Sequence, residues 1–258
     1  MPHRLSANTG FLFKDRPFLD RIVAAGRAGF DAVEFHDEWR EESVTDIRAA
    51  LREAGGGRAP LAVVGLNARM GDTAGRAALA GEENAARQDA AEAIDMASAL
   101  DARGVHLLAG KTDATDEALA AYRDNLAYAC VLAGEAGRTI LIEPLSQTAM
   151  ATYPLRTVGQ AAELIEVVGQ SELRVMFDIY HVHQEGDPLV ETLRTHAGVV
   201  GHVQIADPET RNEPKAEGPY AIARLLARLA EAGYDGPFGC EYRPLAGTEE
   251  GLDWRATL

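Results

Sequence analysis

The chain is short of cysteine and of basic charge, and it has no long apolar run. Its 258 residues include two cysteines, Cys130 and Cys240, too few for a disulfide framework or a zinc site of paired CxxC motifs. A reducing cytoplasm is the expected compartment, and the N-terminal MPHRLSANTGFLF lacks the apolar core of a signal peptide. No stretch of about 18 apolar residues occurs, so no membrane span is expected. Twenty-five Lys and Arg stand against forty Asp and Glu, a net charge of −15. That balance disfavours nucleic acid and membrane surfaces as partners, because phosphates select clustered basic groups. No GxGxxG follows the first apolar run, which removes the main signal of an open dinucleotide-binding sheet. The string AGKT at 109–112 ends like a phosphate-binding loop, but Val105 stands where that loop needs glycine.

What is present is ordinary globular composition, 47% hydrophobic and 25% charged, with no Pro-rich or Ser-rich linker. A short apolar run followed by an amphipathic helix recurs eight times. The runs begin at Leu5, Ala32, Leu61, Gly104, Thr139, Arg174, Val199 and Pro237, and each has the length and β-branched content of a buried parallel strand. Between them, Phe18, Ile22, Val23 and Ala25 share one side of a helix, and Ser43 caps another with Asp46 at capping-box distance. NAARQDAAEAIDMASALDARG, DEALAAYRDNLAYACVLAGEAG and YAIARLLARLAEAGYDG are expected to end on glycine. Eight units of about 32 residues predict a closed (β/α)8 TIM barrel, a single domain over residues 1–258. Chemistry then collects at the C-terminal ends of the strands.

Glu143, Asp178, Gln204 and Glu241 lie late in the fifth to eighth runs, so a barrel gathers them around one point. A carboxylate there is costly to desolvate unless it is paired or metal-bound. Three carboxylates and an amide oxygen form a hard, all-oxygen set suited to Mg²⁺ or Mn²⁺. The plain alternative is that each pairs with a strand-end Lys or Arg.

These same segments resemble a known family. IEPL at 142–145, FDIYH at 177–181, GHVQIAD at 201–207 and GCEYRP at 239–244, with SANTGFLF at 6–13 and LLAGKT at 107–112, are similar to the hydroxypyruvate isomerase family of xylose-isomerase-like TIM barrels. The similarity runs nearly end to end. Related ketose 3-epimerases usually carry His at the position of Gln204, so the glutamine points to the isomerase branch. The resemblance implies one divalent metal ion, Mg²⁺ or Mn²⁺, held by Glu143, Asp178, Gln204 and Glu241, with Glu143 and Glu241 moving the proton. The implied reaction interconverts hydroxypyruvate and tartronate semialdehyde through an enediolate. A 2-oxo-tetronate isomerase or ketose 3-epimerase with the same metal site, and a non-catalytic sugar-acid-binding barrel, are the alternatives.

Three carboxylates around a dication leave one negative charge before an anionic keto acid or sugar substrate arrives, so a cation must face it. The candidates are Lys111, Arg211 and His181; in related barrels the positions matching Arg211 and His181 contact substrate oxygens. Asn67, with Arg69, Asn8, Phe11 and His36, is expected to line the pocket. His3, His106, His183, His196 and His202 lack a metal-spaced partner and are expected to be structural. Cys240, opposite in strand parity to Glu241, and Cys130 are expected in the core. After HVQIAD the family's Gly-Thr-Gly turn is replaced by KAEGPYAI, although Arg211, Glu213 and Pro214 remain. The helical ring and acidic surface are compatible with a homo-oligomer.

Overall fold

The computed structural model describes residues 3–258. Eight parallel strands close into a barrel in sequence order: β1 Leu5–Asn8, β2 Ala32–Phe35, β3 Ala62–Asn67, β4 Gly104–His106, β5 Thr139–Ile142, β6 Leu173–Asp178, β7 Val200–Ile205 and β8 Phe238–Cys240. Each begins within one residue of its predicted run. Closure is made by β8 on β1, with Leu5 opposite Phe238 and Ala7 opposite Cys240. Eight α-helices surround them: α1 Phe18–Arg27, α2 Val44–Ala54, α3 Glu83–Leu100, α4 Asp116–Ala136, α5 Val158–Val168, α6 Ile179–Gln184, α7 Leu189–His196 and α8 Ile222–Glu231. None is long and apolar enough to cross a membrane.

Local chemistry explains most of the boundaries. Ser43 Oγ accepts from the Asp46 amide at 3.1 Å and starts α2. Gly137, at φ 65°, ends α4 as expected. Helix α3 differs: it stops on Asp101, itself left-handed at φ 54°. Gly104 instead opens β4, where an added Cβ would press on Leu141 Cδ1 at 3.1 Å. Asp tolerates the left-handed region through its short polar side chain, so a rule that looks for glycine places this end three residues late. Cys130 and Cys240 are buried in the core as expected.

The crossing after β3 shapes the mouth of the barrel. The Asp37 carboxylate accepts from the Met70 amide at 2.8 Å, and the Ala77 and Ala78 amides donate to the Leu108 and Ala109 carbonyls. Gly75 lies between them at φ 87°, and a side chain there would collide with the Leu108 carbonyl. Gly75→Ala is therefore expected to cost about 1–3 kcal/mol, the scale of a strained left-handed residue, read as a lower denaturant midpoint with an unchanged slope.

Candidate active site

Strand pleating brings the four predicted polar residues together. Asp178 ends β6 opposite Gln204 of β7, and Gln204 pairs in turn with Gly239 of β8. Glu143 and Glu241 directly follow β5 and β8. All four are buried, none exposing more than 6% of its surface.

Arg211 ties two of them together. Its Nη2 donates to Glu241 Oε1 at 2.6 Å and Asp178 Oδ2 at 3.2 Å. The guanidinium lies between the rings of Phe11 and Tyr180, 4.8 and 5.0 Å from their centroids. The loop aiming it is tight: Arg211 has φ 60°, and its amide donates to the Asp207 carbonyl at 2.8 Å. Lys215, from the KAEGPYAI segment, pairs with Asp207 at 2.9 Å and Glu209 at 2.8 Å. This ion pair anchors the loop.

Asn8 Nδ2 and Gln204 Nε2 donate to Glu241 Oε2, at 2.7 and 2.5 Å. Asp178 Oδ1 accepts the Tyr180 amide at 2.8 Å and so caps α6. Two buried acceptors, Glu143 Oε1 and Gln204 Oε1, have no hydrogen-bond partner among the described residues.

His181 lies close to the carboxylates, with Nε2 3.7 Å from both Glu143 Oε1 and Asp178 Oδ2. These three residues have the spacing of a metal cluster, but hydrogen bonding argues for another role. The Ser146 amide donates to His181 Nδ1 at 3.2 Å, so in the neutral ring the hydrogen sits on Nε2. Burial, and then Arg211, hold His181 well below its usual range and keep it neutral. With its hydrogen on Nε2, the neutral ring presents a hydrogen-bond donor to the cavity.

The electrostatics are short of positive charge. Burial first, then the charges of Glu241 and Asp178, raise Glu143 well above the carboxylate range. Burial pushes Asp178 and Glu241 up to about 7 against the pull of Arg211. Burial also lowers His106 to about 3, so it stays neutral.

A cavity of about 140 Å³ opens above these groups, lined by Glu143, Glu241, His181 and Arg211 together with Phe11, His36, Asn67 and His106. The predicted substrate-side residues His181, Arg211 and Asn67 are all in this lining. Lys111 is not: its Nζ donates to the Asp72 carbonyl at 2.9 Å on the exposed side of the loop, because Thr73 captures its backbone amide and turns the side chain outward. Arg69 is exposed and outside the lining, and Asn8 lies below it. Of the histidines expected to be structural, His106 lines the cavity, with Nε2 3.8 Å from Glu143 Oε2.

Glu34 escaped the sequence reading. It sits in β2 and bonds Ser6, Asn8, His202 and Gln204. Burial works to raise it, and His202 with the other donors outweighs burial and holds it below its usual value. The signal was a glutamate between Val33 and Phe35 in a strand buried on both faces, where a carboxylate must find partners.

The description "xylose isomerase-like TIM barrel" matches residues 22–258, and the chain belongs to that family. The chain is 38% identical to the 2-oxo-tetronate isomerase of Cupriavidus necator, over 97% of this chain and 96% of that one. It is 33% identical to the hydroxypyruvate isomerase of Escherichia coli, over 97% of each. A Brucella melitensis structure described as a family 2 AP endonuclease superposes with a TM-score of 0.91 at 33% identity, over 99% of this chain and 98% of that one. Within the family, the protein is an isomerase.

Proposed function

We propose that the protein interconverts the carbonyl and the neighbouring hydroxyl of a small keto acid, with hydroxypyruvate and tartronate semialdehyde as the leading pair. The carrying observation is that Glu143 and Glu241 both line one small cavity, as an acid and base serving adjacent carbons must. The 38% identity to a 2-oxo-tetronate isomerase supports the four-carbon homologue as the second reading.

The donor set fits a divalent ion. Glu143, Asp178, Gln204 and Glu241 would hold it: Glu143 Oε1 and Gln204 Oε1 are buried without partners, and Arg211 is the one arginine or lysine paired with the cluster among the described residues. Mg²⁺ or Mn²⁺ bound there supplies Lewis-acid stabilisation of negative charge on substrate oxygens. The protein's own groups do the rest. One glutamate takes the proton from the carbon bearing the hydroxyl and the other returns a proton to the neighbouring carbon, while the hydroxyl proton passes to the former carbonyl oxygen, with roles exchanged in reverse. His181 Nε2–H donates to a substrate oxygen. Arg211, whose buried Nε has no partner among the described residues, faces the substrate carboxylate.

Arg211→Met is expected to raise KM for the keto acid about 10–100-fold, the scale of a lost charged hydrogen bond; an unchanged KM removes Arg211 from substrate binding. The reading as a whole is tested by incubating three- to six-carbon keto acids and ketoses in D₂O with Mn²⁺, using Glu241→Gln as the blank. Deuterium is expected at the carbons exchanging carbonyl and hydroxyl in the keto acids. Exchange only at C3 of ketoses would assign the epimerase reading instead, and Mn²⁺ binding without turnover would favour a binding protein.

A further inference from the structure

Below the cavity floor lies a buried carboxylate that the mechanism does not use. Glu34 is 5% exposed, and its two oxygens are saturated. Oε2 takes Ser6 Oγ at 2.9 Å and His202 Nε2 at 2.7 Å; Oε1 takes Asn8 Nδ2 at 3.2 Å and Gln204 Nε2 at 2.8 Å. His202 is braced from behind, its Nδ1 3.3 Å from Tyr234 Oη, which donates to the Pro237 carbonyl at 2.6 Å.

The consequence falls on Gln204. Its amide nitrogen has two hydrogens, and the two nearest acceptors are Glu34 Oε1 at 2.8 Å and Glu241 Oε2 at 2.5 Å. Both oxygens also take a hydrogen from Asn8 Nδ2, at 3.2 and 2.7 Å, so each meets the amide as an acceptor. An amide flipped by 180° would set its oxygen against both of them, so the nitrogen is locked in place and Oε1 is left as the free end. That oxygen is buried and unpartnered among the described residues, a costly state unless a cation meets it. Glu241 alone would satisfy one hydrogen; Glu34 takes the other and settles the orientation.

A separate observation on β8 supports this. A Cβ at Gly239 would lie 2.5 Å from Glu34 Oε2 and 2.7 Å from His202 Nε2. The strand that pairs with Gln204 thus carries a residue without a side chain where the Glu34–His202 pair needs the space.

We propose that Glu34, braced by His202, is a positioning residue that locks the Gln204 amide with its oxygen presented as a metal ligand. This rests on the reading of Gln204 as a ligand, so the test has one arm with metal and one without. In the first, Mn²⁺ titration of Glu34→Gln is expected to show affinity weakened about 10–100-fold, the usual effect of removing a partner behind a ligand. Wild-type affinity in that variant would overturn the proposal.

In the second arm, NMR of the metal-free protein follows the Gln204 side-chain amide, identified by its loss in Gln204→Leu. It is expected to be slow to exchange in the wild type and fast in Glu34→Gln; equal exchange in the two would overturn the proposal. If the wild type binds no Mn²⁺, the metal reading fails while the amide still decides the lock. Should Glu34→Gln not fold, Gly239→Ala presses on the same pair and is expected to weaken Mn²⁺ and expose the amide in the same way; wild-type values for both would overturn the proposal.

Discussion

Glu143→Gln and Glu241→Gln are each expected to lower kcat by about 10²–10⁴-fold, the usual contribution of a positioned acid or base. The amide keeps the size and one oxygen of the carboxylate but cannot accept a proton at neutral pH. Glu143 is the sharper case. Its Oε1 is buried with no partner among the described residues, so replacement breaks no structural hydrogen bond at that oxygen. Both glutamates are proposed ligands, so either variant should also weaken metal binding; Glu241 in addition accepts from Asn8, Gln204 and Arg211, whose hydrogen bonds its variant disturbs. Steady-state rates measured at saturating Mn²⁺ separate the two effects. Wild-type turnover in both variants with Mn²⁺ bound would remove these glutamates from proton transfer.

Chelation is expected to abolish turnover, and Mn²⁺ to restore it and raise thermal stability. An ion that binds only the folded state adds about 2.7 kcal/mol at a hundred times its Kd. The pH dependence follows from the carboxylates. In the metal-free protein burial raises Asp178 and Glu241 to about 7, so between their unfolded values and pH 7 the folded state holds more protons than the unfolded one. Stability of the metal-free protein therefore falls as pH rises through this window and levels off above it. Metal binding must displace those protons below pH 7 and need not above it. The Mn²⁺-induced gain in Tm is expected to be larger at pH 8 than at pH 6, as scanning calorimetry can measure. A gain independent of pH would contradict a site built from Asp178 and Glu241.

Much of the frame was legible because it is written in local periodicity. Eight apolar runs start within one residue of the eight strands, since a strand buried on both faces must be continuously apolar over its length. The polar residues late in the last four runs were legible for the same reason: a carboxylate that ends such a run has few places to go. Lys111 also follows an apolar run, but the loop hydrogen bond from its backbone to Thr73 turns it away from the cavity. That bond joins segments 38 positions apart and leaves no trace in the spacing of either. His106 has no metal-spaced neighbour in sequence, yet its Nε2 lies 3.8 Å from Glu143, which follows the adjacent strand.

The sequence by itself determined the barrel, the strand ends where the polar residues gather and their oxygen-bearing side chains, because pattern and residue type are local properties. Only the tertiary structure decided how those groups are held. Closure of β8 onto β1 brings Asn8 to Glu241 across 233 positions, and the approach of β2 to β7 sets Glu34 against His202 and Gln204 across about 170. The amide orientation of Gln204, the neutral tautomer of His181 and the two carboxylates shared by Arg211 all follow from such contacts. Each depends on which donor meets which acceptor in a closed, water-poor interior, where an unmade hydrogen bond is expensive.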